Sequence, residues 1–389
     1  MNEASFKVEK APHIHRKDSV NRMLGDVLIA LLPVLVWSIV AYQWDAVRNI
    51  VISILTMGIC ELVFVLIINR LPYDGQKHSL KERLLFAIKA YKPHNLLAPT
   101  VSGAIFALIM PSTMNPSYMI YPALILGSIF GIVIGKLVFG GLGQNIFNPA
   151  AVGMVFAKIC FGSYIVYPER DFFEVIGGGT PLASLEAPAG TNSLIGKFLS
   201  INDMSLLDLF LGQVNGTIGE AFKIAILIGL AYLLFRRAID WRIVVSYLAT
   251  FLLLSCLAGA IVCTRVDVNF FEFIAFQLLS GGMLFGVTFM LTDPVTSPIS
   301  SPGRVMYGMI AASLTLLIRL LGAYPEGMAY SILLSNLLVP FIEYRCWSGQ
   351  KFTYKKMIAC AAIFAIAALA IGLGLGFGGE IVAETGGSR

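Results

Sequence analysis

Charge is what this sequence has least of. Asp, Glu, Lys and Arg make up 13% of its 389 residues, where a soluble domain carries roughly a quarter, and 57% are hydrophobic. With a mean hydropathy of +0.80, a water-soluble globular domain is excluded, and lipid is the solvent that fits. Redox-metal ligands are also scarce. The six cysteines (Cys60, Cys160, Cys256, Cys263, Cys346 and Cys360) contain no CxxC pair, which leaves no Fe–S set. Cys256 and Cys263 are seven apart and fit one helix face, as ordinary membrane cysteines do. The four histidines (His13, His15, His78 and His94) all fall in polar loops, which excludes an intramembrane haem and leaves only His13 and His15 as a weak metal pair. There is no glycine-rich dinucleotide fingerprint either. The net charge of +5 is no sign of nucleic acid, because its distribution follows membrane topology.

What is present is a series of long apolar runs. About 20 apolar residues cross the hydrocarbon core, and eleven spans are predicted, at 23–42, 48–68, 96–110, 118–139, 150–165, 221–235, 243–263, 273–291, 305–321, 328–342 and 357–377. Several are short or interrupted by Gly and Pro, which is tolerated only where protein or a water-filled cavity covers the backbone. The N-terminus is polar and basic, so no cleaved signal is expected. With the N-terminal arm (1–22) inside, 20 of the 28 Lys and Arg fall in inner loops and five in outer ones. That asymmetry predicts a cytoplasmic N-terminus and an extracytoplasmic loop at 166–220.

Two stretches echo each other. Ser102-Gly103 opens a short span ending in Met110-Pro-Ser-Thr-Met-Asn-Pro116, and Ser280-Gly281 opens another ending in Leu291-Thr-Asp-Pro-Val-Thr-Ser-Pro298. Each leads to a small-residue-rich span and a Gly-rich break, at Gly140-Gly-Leu-Gly-Gln-Asn145 and Gly322-Ala-Tyr-Pro-Glu-Gly327. Five spans per unit, an odd number, would make the units inverted repeats with a binding site between them. The expected fold is therefore all-α: two inverted five-helix repeats with broken helices (23–165 and 221–343), and a C-terminal part (344–389) with one extra helix.

Three kinds of residue carry chemistry in this pattern. Asn145 and Asn148, three apart after the Gly-rich break, offer amides that suit the polar edge of a flavin-like heterocycle, or else cap the following helix. In the outer loop, Gly177-Gly-Gly-Thr180 presents a hydroxyl on a flexible backbone, available for modification or simply part of a turn. Intramembrane charges are costly and mark function or buried pairs. Glu61, Lys158 and Arg319 lie in spans, and Asp293 and Glu326 at span mouths.

Taken together, Asp18-Ser19, the stretch Phe139-Gly-Gly-Leu-Gly-Gln-Asn-Ile-Phe-Asn-Pro-Ala-Ala-Val-Gly153, Thr180-Pro-Leu-Ala183, Gly216-Thr-Ile-Gly-Glu220, Thr292-Asp-Pro-Val-Thr-Ser-Pro298 and Tyr324-Pro-Glu-Gly327 resemble a family. It is that of the D-type membrane component of the Rnf ion-translocating electron-transport complex and the B-type component of the sodium-pumping NADH:quinone oxidoreductase. The resemblance runs from about residue 18 to 343, and its wording sits closer to the D type.

It implies covalent FMN on Thr180 with Gly178 in the attachment motif, a noncovalent riboflavin at Asn145 and Asn148, and an ion pathway drawing on Glu61, Asp293 and Glu326. The family's attachment pattern reads roughly Asp-x-x-Ser/Thr-Gly-Ala-Thr. Glu174, Gly177 and Gly179 depart from it, whereas Gly178 and Thr180 match. The implied role is a non-autonomous translocase subunit in a bacterial cytoplasmic membrane, carrying electrons coupled to Na⁺ or H⁺ movement. The implied partners are an extracytoplasmic FMN-bearing subunit, intramembrane Fe–S subunits, ferredoxin- and NAD-reacting subunits and a flavin transferase. The rival readings are the quinone-reducing B type and a channel or carrier for a small polar solute.

Overall fold

The computed structural model describes residues 20–68, 81, 82, 85, 96–167, 180–182, 198, 201, 205–322, 326–344 and 350–377. Among these residues the regular structure is helical apart from one short ladder, in which β1 (Thr113–Met114) pairs antiparallel with β2 (Ile165–Val166). The helices are α1 (Val20–Ile68), α2 (Leu97–Ile109), α3 (Ile120–Gly135), α4 (Pro149–Phe161), α5 (Leu206–Leu211), α6 (Lys223–Arg236), α7 (Trp241–Cys263), α8 (Phe270–Leu279), α9 (Met283–Phe289), α10 (Ser301–Leu321), α11 (Met328–Glu343) and α12 (Tyr354–Phe377). Five are long and apolar enough to cross a membrane, or six if the bent pair α8 and α9 counts as one span. Their unburied faces carry large apolar side chains such as Val36, Leu55, Leu253 and Leu369, as lipid contact requires.

The first two predicted spans form one element. α1 is interrupted only at Gln43, whose φ of 47° breaks the helix, so the expected connecting loop shrinks to a single non-helical residue. Polar ties show that the chain reverses there. Asp26 pairs with Arg236 at 3.2 Å, while farther along the Ser38 and Tyr42 hydroxyls reach the carbonyls of Ile218 and Gly216. On the second arm, Asn49 holds the Pro111 carbonyl at 2.8 Å, and Glu61 returns to the starting end, beside Lys136.

The short elements survive because protein covers them. α2 has thirteen residues, too few to cross the hydrocarbon core, and ten of these are buried. The two Ser-Gly pairs of the predicted repeat do different work. Ser102-Gly103 lies inside α2, where Gly103 lets the helix touch α1: a Cβ there would meet the Ile54 Cα at 2.8 Å. Ser280-Gly281 instead breaks the chain between α8 and α9, with Gly281 at φ 63° and a bend of 45°.

Glycine also sets the α3–α4 contact. Gly127, Gly131 and Gly135 recur every four residues on α3, so their backbone lies directly against α4, and a Cβ on Gly131 would meet the Pro149 carbonyl oxygen at 2.6 Å. A carbonyl in a helix cannot step aside. Gly131→Ala is therefore expected to destabilise by about 1–3 kcal/mol through overpacking. Gly58→Ala, in the open interior of α1, should instead stabilise by up to about 1 kcal/mol through helix propensity. Thermal unfolding of the two variants in detergent reads the opposite signs.

Candidate functional site

Two pockets lined in part by polar side chains lie at opposite ends of α9. The larger is an open-mouthed cavity whose space, about 810 Å³, includes the open solvent at its mouth. Its walls are mostly apolar, from α1, α2 and Phe289, with Lys136, Asn145, Asn148, Thr292 and Asp293 as polar groups. The break after α3 builds one side. Gly140, Gly141 and Gly143 all hold positive φ, folding the chain so that Asn145 and Asn148 both reach the cavity.

The two asparagines differ in state. Asn148 is the N-cap of α4: its Oδ1 accepts from the N–H groups of Ala150 and Ala151, and its Nδ2 donates to the Met290 carbonyl at 3.1 Å. The capping alternative raised by the sequence is thus realised for this residue. Asn145 is not a cap. Its Nδ2 donates to the Phe147 carbonyl at 3.3 Å, while its buried Oδ1 has no partner. An orphaned acceptor on a cavity wall fits a ligand N–H. Asn148→Ala should cost about 1–2 kcal/mol for the lost cap, whereas Asn148→Asp keeps the cap and loses only the tie to Met290. Comparing the melting temperatures of both variants checks this.

Glu61 lies behind the cavity wall, with its Oε2 2.6 Å from the Lys136 ammonium, and both side chains are almost wholly buried. Asp293, on the same wall as Lys136, accepts from the Val295 N–H and the Thr296 hydroxyl. Burial pushes the Asp293 carboxyl up, and those hydrogen bonds with the Lys136 charge offset only part of the rise. Two of the three predicted ion-pathway acids therefore flank one lysine.

The third, Glu326, is elsewhere. Its Oε2 pairs with Lys158 at 2.7 Å, near the other end of α9. Lys158 lies ten residues along α4 from Asn148, which separates the two centres by about 15 Å. Around Glu326 gather Glu220, Lys223 and Arg319, all buried, and the partly exposed Lys158. These cations stabilise the helix break. Arg319 donates to the carbonyls of Gln277 (2.8 Å) and Ser280 (3.2 Å), and Lys223 donates to the carbonyls of Gly281 (3.0 Å) and Glu220. The unpaired end of α8 thus finds donors where lipid has none. For Glu220, burial raises the carboxyl pKa and the neighbouring Glu326 charge adds to the rise. Burial opposes ionisation of Glu326 too, but Lys158 outweighs it and keeps that carboxyl low.

Thr180 lies on this second centre. It shares a cleft of about 270 Å³ with Glu220, Lys223, Gly281 and Glu326. The sequence suggests an unencumbered hydroxyl, but Thr180 is 4% exposed, with neighbouring Leu182 packed against Gly281. Gly178 lies outside the described residues. By sequence, Lys136 reads as a topology signal and Lys223 has no role. An isolated lysine at the start of an apolar run is the signal that could have found Lys223.

The family model described as NQR2, RnfD, RnfE matches residues 7–350. The chain is 32% identical to the D-type component of the Na(+)-translocating ferredoxin:NAD(+) oxidoreductase complex of Acetobacterium woodii, over 88% of this chain and 94% of that protein. It is 29% identical to the proton-translocating counterpart from Clostridium ljungdahlii, over 87% and 93%. Against the B-type component of the Na(+)-translocating NADH-quinone reductase of Pseudomonas paraeruginosa it is 35% identical, but over only 63% of this chain and 58% of that protein. A multi-pass helical chain, matched over nearly its whole length, belongs to the NQR2, RnfD, RnfE family.

Proposed function

We propose that this chain is the D-type membrane component of an ion-translocating ferredoxin:NAD oxidoreductase, bearing FMN on Thr180 and riboflavin in the large cavity. The observation that carries the assignment is length. The D-type relatives correspond to the chain over more than nine-tenths of their own extent, whereas the B-type relative corresponds over 58%.

The large cavity has apolar walls for a ring and an orphaned Asn145 Oδ1 for its imide N–H. At the other centre, the Thr180 hydroxyl lines a cleft with one cation, Lys223, and two carboxyls, Glu220 and Glu326. The flavins supply the electron-carrying chemistry when bound. The residues orient them and keep water away, and α9 separates the two sites. Lys136, Glu61 and Asp293 provide an ion-responsive cluster beside the cavity. The proposed partners are an extracytoplasmic FMN-bearing subunit, intramembrane Fe–S subunits and the subunits reacting with ferredoxin and NAD. The proposed membrane is the bacterial cytoplasmic one, with Thr180 facing outward.

The test is to purify the assembly through a tag on this chain and assay it. Ferredoxin-dependent NAD reduction that needs no quinone supports the reading; NADH oxidation that depends on quinone would assign the chain to the B type instead. The relatives include both a Na⁺-translocating and a proton-translocating complex.

A further inference from the structure

The seat that holds Thr180 is closed, and it does not suit the group proposed for that residue. Thr180 is 4% exposed and Leu182 8%, so the threonine is packed in and not presented to water. The cleft it lines measures about 270 Å³ with the open solvent at its mouth included, whereas sites for molecules of flavin size start at roughly 300 Å³. Charge opposes the group as well. Two carboxyls, Glu220 and Glu326, line the cleft against one cation, Lys223, whose bonds go to the carbonyls of Glu220 and Gly281. A phosphate placed beside carboxylates is repelled.

The contact that closes the seat is a specific one. Gly281 stands at φ 63° in the break between α8 and α9, and a Cβ there would meet the Leu182 Cδ1 at 2.7 Å. Leu182 therefore lies directly on bare backbone at the bend. Phe198, from the same outer loop, packs edge-on against Phe273 of α8 with ring centroids 5.3 Å apart. The loop is thus tied to the bent pair at two places, and only the first covers Thr180. One leucine resting on one glycine is a small apolar contact, of the kind that opens locally without unfolding the rest.

We propose that residues 180–182 form a strap with two positions: docked on Gly281, as in this structure, while Thr180 is bare, and undocked once Thr180 carries the flavin nucleotide. This rests on the Thr180 reading and adds an order of events to it: the flavin is attached to the undocked strap, and its bulk and charge then keep the strap from returning. Leu182 is a positioning residue. It makes and breaks no bond, and sets how often Thr180 is offered.

Hydrogen exchange read by mass spectrometry, on the full chain in detergent made with and without its flavin transferase, reports the strap. In the unmodified chain the peptides carrying Leu182 and Gly281 should exchange slowly, and in the flavin-bearing chain about tenfold faster. Thr180→Ala, which accepts no flavin, should stay slow under both conditions. Leu182→Ala loosens the dock without touching the hydroxyl, and should take up flavin several-fold faster when the adduct is followed by intact mass. Adduct on the parent with unchanged exchange at both peptides, or fast exchange already in the unmodified chain, overturns the strap and leaves the Thr180 reading standing. Adduct on neither the parent nor Leu182→Ala overturns the Thr180 reading and the strap with it.

Discussion

Thr180→Ala is expected to yield a folded chain with no covalent flavin and an assembly whose ferredoxin-dependent NAD reduction falls to background. The hydroxyl oxygen is the atom that a phosphoester would share, and alanine has none, so the effect on attachment is all or nothing. Thr180→Ser keeps the oxygen and should retain at least part of the adduct. Intact mass of the chain made alongside its flavin transferase reads the result. An adduct that persists in Thr180→Ala would move the attachment point elsewhere on the chain.

Lys136→Met should be among the most damaging single changes at the opposite centre. It leaves Glu61 buried without its partner, and breaking such a pair costs about 3–5 kcal/mol. The double variant Lys136→Met with Glu61→Gln removes both charges and should recover most of that loss, because a paired buried charge stabilises little over neutral groups of similar size. Thermal unfolding of the single and double variants measures the recovery. The single variant also removes a positive charge acting on Asp293, so that carboxyl should protonate more readily. If the cluster serves ion movement, the double variant will be stable yet uncoupled: electron flow would continue while ion uptake by reconstituted vesicles stops. Equal unfolding temperatures for parent and single variant would show that Glu61 does not depend on Lys136.

Much of this architecture can be read from the sequence, because lipid imposes simple rules. The runs at 243–263, 305–321 and 357–377 coincide with α7, α10 and α12 almost residue for residue, since long uninterrupted apolar runs leave few alternatives. Boundaries fail where tertiary contact overrides pattern. The separation of 42 from 48 disappears into a single non-helical residue at Gln43, and the span at 273–291 is split by the backbone of Gly281.

The sites are legible in part for the same reason. Asn145 and Asn148 share a cavity as their spacing suggests, but the break before them is glycine-rich and irregular, so their different hydrogen-bond states have no sequence signature. The partners of the intramembrane acids are equally hidden. Lys136 is 75 residues from Glu61, and Lys158 is 168 from Glu326. Only the packing of distant helices brings them together. Lys136 is the residue most easily misread, because one lysine at a helix end serves topology and ion pairing alike.

The glycine seam between α3 and α4 has a mechanical consequence. With Gly131 and Gly135 seated on Pro149, and Gly127 against Gly153, the two helices have no slack and must travel as one block. That block carries Lys136 at one tip and Lys158 near the other. A slide of α9 past that block would widen the large cavity, and the hydrogen bond from Asn148 to the Met290 carbonyl is the latch it would have to release.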